Sequence, residues 1–360
     1  MERCNASLQV AIIYTSDDYL SKYFVYISGE YISAAKAEID TLTRLSDCNT
    51  SVHWDGRIGL VDSQKNLTPF FLERAALVKE AGVLLSETDL HDDLFDRLSD
   101  DILIDNIRPG ETFSVRTISE NGELSINDRL AFESSLGEHI KQVAGAKVHL
   151  DNPQARILVV FTRKCIRVCK SYASILRPML RDRAPGRKPF FHPSMMNATL
   201  ARVMCNLAGV MPQEVVLDPF CGGGGILCEA AFIGARTVGI DLNWRLLKGS
   251  KLNLSSVGSS FNVIQGDVRD LPVNGCDCIV TDPPYGRASS TRGAQAILLV
   301  EDLFEKADSI LRRREGSICI CGSSDMKLQN LAESKGLTVS QVIRFRVHRG
   351  LVREILTLGV

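Results

Sequence analysis

The chain has 360 residues, 45% of them hydrophobic, enough to bury a full core and to form two or three domains. Its net charge of −1 conceals unlike halves: residues 1–155 carry 14 Lys and Arg against 26 Asp and Glu, a net −12, and residues 156–360 carry 28 against 17, a net +11. No apolar run is as long as a transmembrane helix and no secretory signal pattern opens the chain, so a cytoplasmic protein with no membrane partner is expected.

Residues 1–70 read as a small ferredoxin-like α/β unit, with strand-like QVAIIYT and YFVYISG around a helix-like SAAKAEIDTLTRLS. HWDGRIGLVDS is a strand-and-turn segment. In TPFFLERAALVKEAGVLLSE, Thr68 can cap, Pro69 fits a first helical turn, and the apolar spacing after it is helical. Six carboxylates then fall between Asp89 and Asp101, among Leu, Phe and Ile at helical spacing. That pattern favours a solvated acidic helix face over a metal cluster. The 11 cysteines include no C-x-x-C pair and are read as reduced, mostly buried thiols, so no metal site is expected.

The sign of the charge turns at residues 156–191, where ten basic residues face only Asp182. Within it, residues 173–194 read as a basic linker in which Pro178, Pro185, Gly186 and Pro189 break regular structure. Arg177, Arg181, Arg183, Arg187 and Lys188 project from it, and Arg163 and Lys164 lie just upstream. Such a one-signed run is the footprint of a polyanionic partner, with an ordinary solvated linker as the alternative.

From Val215 to Gly286 four β-branched runs each end in a small or acidic cluster: VVLD, TVGID, FNVIQGD and CDCIVTD. This is the pattern of a parallel α/β sheet whose strand ends hold a ligand. Gly222 to Gly225 let backbone approach that ligand and aim N–H groups at it. The spacing fails the dinucleotide fingerprint G-x-G-x-x-G, and no G-K-[ST] follows to grip a polyphosphate. Asp241, ending the second run, is placed to accept ribose hydroxyls, and Asp267, ending the third, to accept from an adenine amine. Singly each is as well read as a helix cap; in succession they favour an adenosine pocket. In Asp282-Pro283-Pro284-Tyr285 two prolines stiffen the backbone and leave its carbonyls free to accept. Asp282 and the Pro283 carbonyl can take the two hydrogens of an exocyclic amine while Tyr285 stacks on its ring.

The order DPFCGGGG, GIDLN, GDVRD and DPPYG resembles the class I S-adenosylmethionine-dependent methyltransferases that modify exocyclic amines, over residues from about 190 to 360. With FFHPSMMNATLARVMCNLAG before the core, RVHRGLVREILTLG after it and GAKVHLDNPQARILVV upstream, the chain is similar to the THUMP-domain tRNA guanosine N2-methyltransferases acting at position 10. The resemblance implies an α/β fold with a class I (Rossmann-like) sheet and a terminal antiparallel hairpin over 195–360, preceded by an α+β region with a THUMP-like RNA-binding domain at 71–172. It implies S-adenosylmethionine as cofactor and tRNA as partner, with a small zinc-binding activator subunit as an optional second one. The cofactor pocket it implies comprises Asp218, Phe220, Gly222 and Gly224 on the glycine turn, Asp241 with Leu242, and Asp267 with Val268. His192 belongs to a turn closing over the methionine end. The product would be mono- or dimethylguanosine. The rivals are methylation of guanosine 6 of tRNA or of adenine N6 in nucleic acid, and a tRNA-binding protein without activity.

Overall fold

The computed structural model describes residues 22–46, 50–90, 98–120, 122, 124–284, 293–312, 317–348 and 351–359. The described chain opens with β1 (Tyr23–Ile27), α1 (Ile32–Leu45), β2 (Ser51–Asp55), β3 (Ile58–Asp62), α2 (Thr68–Arg74) and β4 (Val78–Asp89). Then come α3 (Asp100–Asn106), β5 (Thr112–Ser119), α4 (Ile126–Ala144), β6 (Lys147–Val148), β7 (Ala155–Phe161) and β8 (Cys165–Ala173). Among the described residues these strands form one eight-stranded sheet in the order β2-β3-β1-β4-β8-β7-β5-β6. β4 pairs with β1 on one side and β8 on the other, so the first 70 residues and the region after them share a sheet.

β4 departs from the expected helix. Helix α2 stops at Arg74, and the Thr68 N–H is received by Asn66 rather than Thr68 itself capping the helix. The buried Glu38 then accepts the N–H groups of Ala76 and Leu77, which holds the chain extended into β4. Gly82 permits close pairing there, since a Cβ would lie 2.0 Å from the Lys170 carbonyl oxygen. Of the acidic run, Asp89 ends β4 and Asp100 and Asp101 open α3; residues 91–97 lie outside the described residues.

The chain continues through α5 (Leu176–Asp182), a 3-10 turn (Pro185–Arg187) and α6 (Ala198–Leu207). Pro178 does not break structure as expected; it stands in the first turn of α5, where backbone N–H groups have no intrahelical acceptor to lose. Next are β9 (Val215–Asp218), α7 (Gly225–Ile233), β10 (Arg236–Asp241), α8 (Trp244–Val257), β11 (Phe261–Gln265) and β12 (Cys278–Thr281). The last are α9 (Gly293–Ile310), β13 (Ser317–Ser323), α10 (Leu328–Ser334), β14 (Thr338–His348) and β15 (Leu351–Gly359). Among the described residues they build a seven-stranded sheet, β11-β10-β9-β12-β13-β15-β14, in which β15 alone runs against the others, pairing antiparallel with both β13 and β14. That is the class I methyltransferase sheet with its terminal hairpin, as the fold expectation had it.

The two sheets are joined by a shared core. Residues of α1, α2 and β1 pack in one buried cluster with residues of α6, β12, β13 and β14. Polar pins run through this contact: the Asn206 side-chain amide of α6 donates to Glu38 of α1 at 2.7 Å and to the Arg74 backbone carbonyl at 3.0 Å, while Arg74 Nε donates to the Asn206 side-chain oxygen Oδ1 at 2.6 Å. Among the described residues no helix is long and apolar enough to cross a membrane.

Candidate active site

The order β11-β10-β9-β12 brings Asp267, Asp241, Asp218 and Asp282 to the carboxyl ends of neighbouring parallel strands. This edge is where open α/β sheets bind ligands. After Asp218 the chain turns through Gly222 and Gly224, both at positive φ (50° and 77°), into α7. A Cβ on Gly224 would meet Ser250 Oγ at 2.5 Å, and one on Gly223 would meet Met195 Sδ at 2.6 Å, whereas Gly222 faces open space. The turn therefore needs glycine for conformation at two positions and for close approach at a third. Met195 belongs to a turn made by His192, whose Nδ1 lies 2.7 Å from Ser194 Oγ and whose carbonyl accepts from Met195. That turn lies over the glycines.

Asp241 accepts the Gly222 N–H at 2.9 Å on one oxygen and the Asn243 N–H at 2.8 Å on the other. Each oxygen keeps acceptor capacity, and the exposed Leu242 is next to it in the chain. Asp267 is already engaged by a side chain. Arg269 grips both its oxygens, Nε at 2.9 Å and Nη2 at 2.6 Å, and holds the carboxyl below its ordinary range. Any hydrogen-bond donor approaching Asp267 would share it with the exposed Arg269 guanidinium. Val268 is buried against Ile240 in the second core, and Phe220 packs on the same cluster.

Asp218 is buried, and burial pushes its carboxyl up to about 7 despite the hydrogen bonds it accepts. Thr281, the last residue of β12, donates to it at 2.6 Å, and the Phe220 N–H donates at 3.1 Å. The Thr281 contact ties the glycine turn's strand to the residue before Asp282. Asp282 itself is only 14% exposed at its side chain, and its Oδ1 is ion-paired with Arg353 of β15. Burial raises the Asp282 carboxyl while Arg353 pulls it down. Pro283 is buried and Pro284 half-buried beside it; Tyr285 lies outside the described residues.

The basic residues separate into two sorts. Arg163, Lys164, Arg181 and Arg187 are exposed and Arg177 half-buried, with Arg187 Nη1 2.5 Å from Asp182. Arg183 is turned inward, 3.3 Å from the buried Glu229 and 4.1 Å over the Phe232 ring, and Lys188 lies beside the Cys228 thiol. These two fasten the linker to α7. Three residues that the motifs did not signal also serve the site: Thr281, Arg353 and Asn253. Asn253 of α8 accepts the Phe190 N–H at 2.9 Å and donates to the carbonyls of Phe190 and Gly223. Only Arg353 left a trace in the sequence, a charged pair inside the apolar run LVREILTLG.

Known proteins bear on this geometry. The family model described as "RMKL-like, methyltransferase domain" matches residues 185–355. The tRNA (guanine(10)-N2)-dimethyltransferase of Methanothermobacter thermautotrophicus is 32% identical over 92% of this chain and 97% of its own length. The chain belongs to the tRNA (guanine(10)-N2)-dimethyltransferase family. The Pyrococcus abyssi member is 30% identical over the same shares, 92% and 97%. In fold the chain is similar to TrmN from Thermus thermophilus, with a TM-score of 0.56 at 19% identity over 94% of this chain and 99% of that one. The sheet order, the strand-end carboxylates and the family together make the chain a methyltransferase with S-adenosylmethionine as methyl donor.

Proposed function

We propose that this family member transfers methyl groups from S-adenosylmethionine to N2 of the guanosine at position 10 of tRNA. The observation carrying the reading is that Asp282-Pro283-Pro284 ends the strand beside Asp218, in the same row as Asp241. The open side of Gly222 and the oriented Asp241 fit the adenosine part of the donor, and the His192–Met195 turn fits its methionine end. Asp267 with Val268, and Phe220 with Leu242, complete the proposed pocket. The donor supplies an electrophilic methyl on a sulfonium.

The residues supply what guanine N2 lacks. Its lone pair is delocalised into the ring, so the amine is a poor nucleophile. The Asp282 carboxylate and the Pro283 carbonyl accept its two N–H bonds, favour a pyramidal nitrogen and point the lone pair at the methyl. One displacement follows: the N–C bond forms as the C–S bond breaks, and the amine proton passes to Asp282 or to water. Positioning and fixed dipoles do most of the work. The guanine must leave its stack at a cost of a few kcal/mol, which Tyr285 offsets by stacking. Asp282→Ala should bind donor and tRNA nearly as the parent does yet transfer little methyl. Turnover near the parent rate would remove Asp282 from this role.

The reading extends to the whole chain. Residues 71–172 act as a THUMP-like RNA-docking module and residues 173–194 as a basic bridge to the catalytic domain, supported by exposed Arg163, Lys164, Arg181 and Arg187 and the partly covered Arg177. A cytoplasmic location fits nine buried free thiols among the described residues. A zinc-binding activator subunit is the optional partner implied by resemblance, and full turnover by the purified chain alone would dispense with it.

A further inference from the structure

Arg353 reaches Asp282 from the far side of a strand. In the sheet β13 lies between β12 and β15, and Arg353 stands opposite Ser323, the last residue of β13. Its guanidinium therefore crosses the carboxyl end of β13 to meet Asp282 Oδ1, 71 residues away in sequence. Both side chains are nearly covered, at 11% and 14% exposure, which sets this pair apart from the solvated arginines of the linker. Its burial turns Arg353 toward the motif rather than toward solvent.

Resting on the proposed function, we infer that Arg353 is a positioning residue for methyl transfer: it fixes the Asp282 carboxylate through Oδ1, sets a positive charge beside it, and presents Oδ2 to the amine of the target base. Among the described residues Arg353 is the donor to this carboxylate. An ionised carboxylate accepts only, whereas a protonated one can donate and would turn the amine the wrong way. The surroundings otherwise favour the protonated form. Burial raises Asp282, and Asp218 at the end of β9 adds a second acid close by. Cys321 of β13, its thiol pushed far up by burial and by Asp282, contributes no positive charge, and Glu354 next to Arg353 is committed to Arg344 at 3.2 Å. Arg353 is the cation that faces the group from β15, and its planar fork sets orientation as well as charge.

The test compares Arg353→Met, Arg353→Gln and Arg353→Lys, each also in an Asp282→Asn background. Single-turnover methyl transfer to tRNA is followed from about pH 6 to pH 9, a span chosen to bracket the titration of a raised carboxyl. Donor affinity by calorimetry and the thermal midpoint serve as controls. Arg353→Met should lower the transfer rate roughly 10- to 100-fold, the range typical of residues that orient a functional group, with KM for tRNA and donor affinity little changed. The acid limb of the rate should move to higher pH, so part of the rate returns at the alkaline end. Lysine should restore much of the rate and keep the limb in place. In the Asp282→Asn background the further loss should vanish. If the methionine variant does not fold, the glutamine variant, which keeps a donor and drops the charge, reads the same limb. An unmoved limb, an equal loss in the Asp282→Asn background, or a raised KM with unchanged rate would overturn the inference. A parent-like rate for Asp282→Asn alone would instead sink the proposed role of Asp282, and this inference with it.

Discussion

Asp218 is buried at the end of the first catalytic strand with a carboxyl raised to about 7, so near neutrality its charge is undecided. The sign follows from linkage. A raised acid holds its proton in the folded chain where the unfolded chain has lost it, so stability present at low pH is lost as pH rises through the folded value. Without donor, the thermal midpoint should fall between about pH 4 and pH 7, the unfolded and folded values of this carboxyl. A cationic sulfonium prefers the ionised form, so calorimetry should show S-adenosylmethionine binding tighten over the same interval, with proton release. Asp218→Asn should flatten both curves, and a pH-independent affinity in the parent would deny the coupling. The sequence shows the acid at this strand end, but it cannot show the covering side chains that raise it.

The glycine turn and the linker carry the predictions that belong to elements. Gly224 has φ 77° and no room beside Ser250, so Gly224→Ala should cost about 1–3 kcal/mol in denaturant unfolding. Gly222 has open space, so Gly222→Ala should keep most of the stability and lose donor affinity instead. Equal behaviour of the two in calorimetry and unfolding would show that the turn does not face the donor. In the linker, Arg181→Ala should weaken tRNA binding and reduce its salt slope by about one. Arg183→Ala should leave the slope alone and lower the thermal midpoint, because its partners are Glu229 and Phe232. Elements were legible where local chemistry decides them: the four strand ends, the glycine turn and the terminal hairpin. β4 departs from the helical expectation because AALVKEAGVLLSE fits a helix and a strand equally well, and Glu38, far off in the chain, holds the segment's start extended. Likewise five linker cations look alike in sequence, and only packing on α7 separates Arg183 from Arg181.

At the scale of the molecule, the acidic amino-terminal half and the basic catalytic half share one core, pinned by Glu38, Arg74 and Asn206. Asn206→Ala leaves two buried polar partners unmatched and should cost about 1–3 kcal/mol. Unfolding should nevertheless remain a single transition seen alike by fluorescence and circular dichroism, whereas two separated transitions would mean that the halves fold independently. None of these contacts could be foreseen from residue patterns, since each joins positions more than thirty apart. What such a joined body does is decided by its product. tRNA carrying guanosine at position 10, incubated with the chain and S-adenosylmethionine, is digested and its nucleosides are mapped by mass spectrometry. The account predicts N2-methylated guanosine at position 10, absent when that guanosine is replaced by adenosine. Methyl found on adenine N6, on guanosine 6, or nowhere in the tRNA would contradict it.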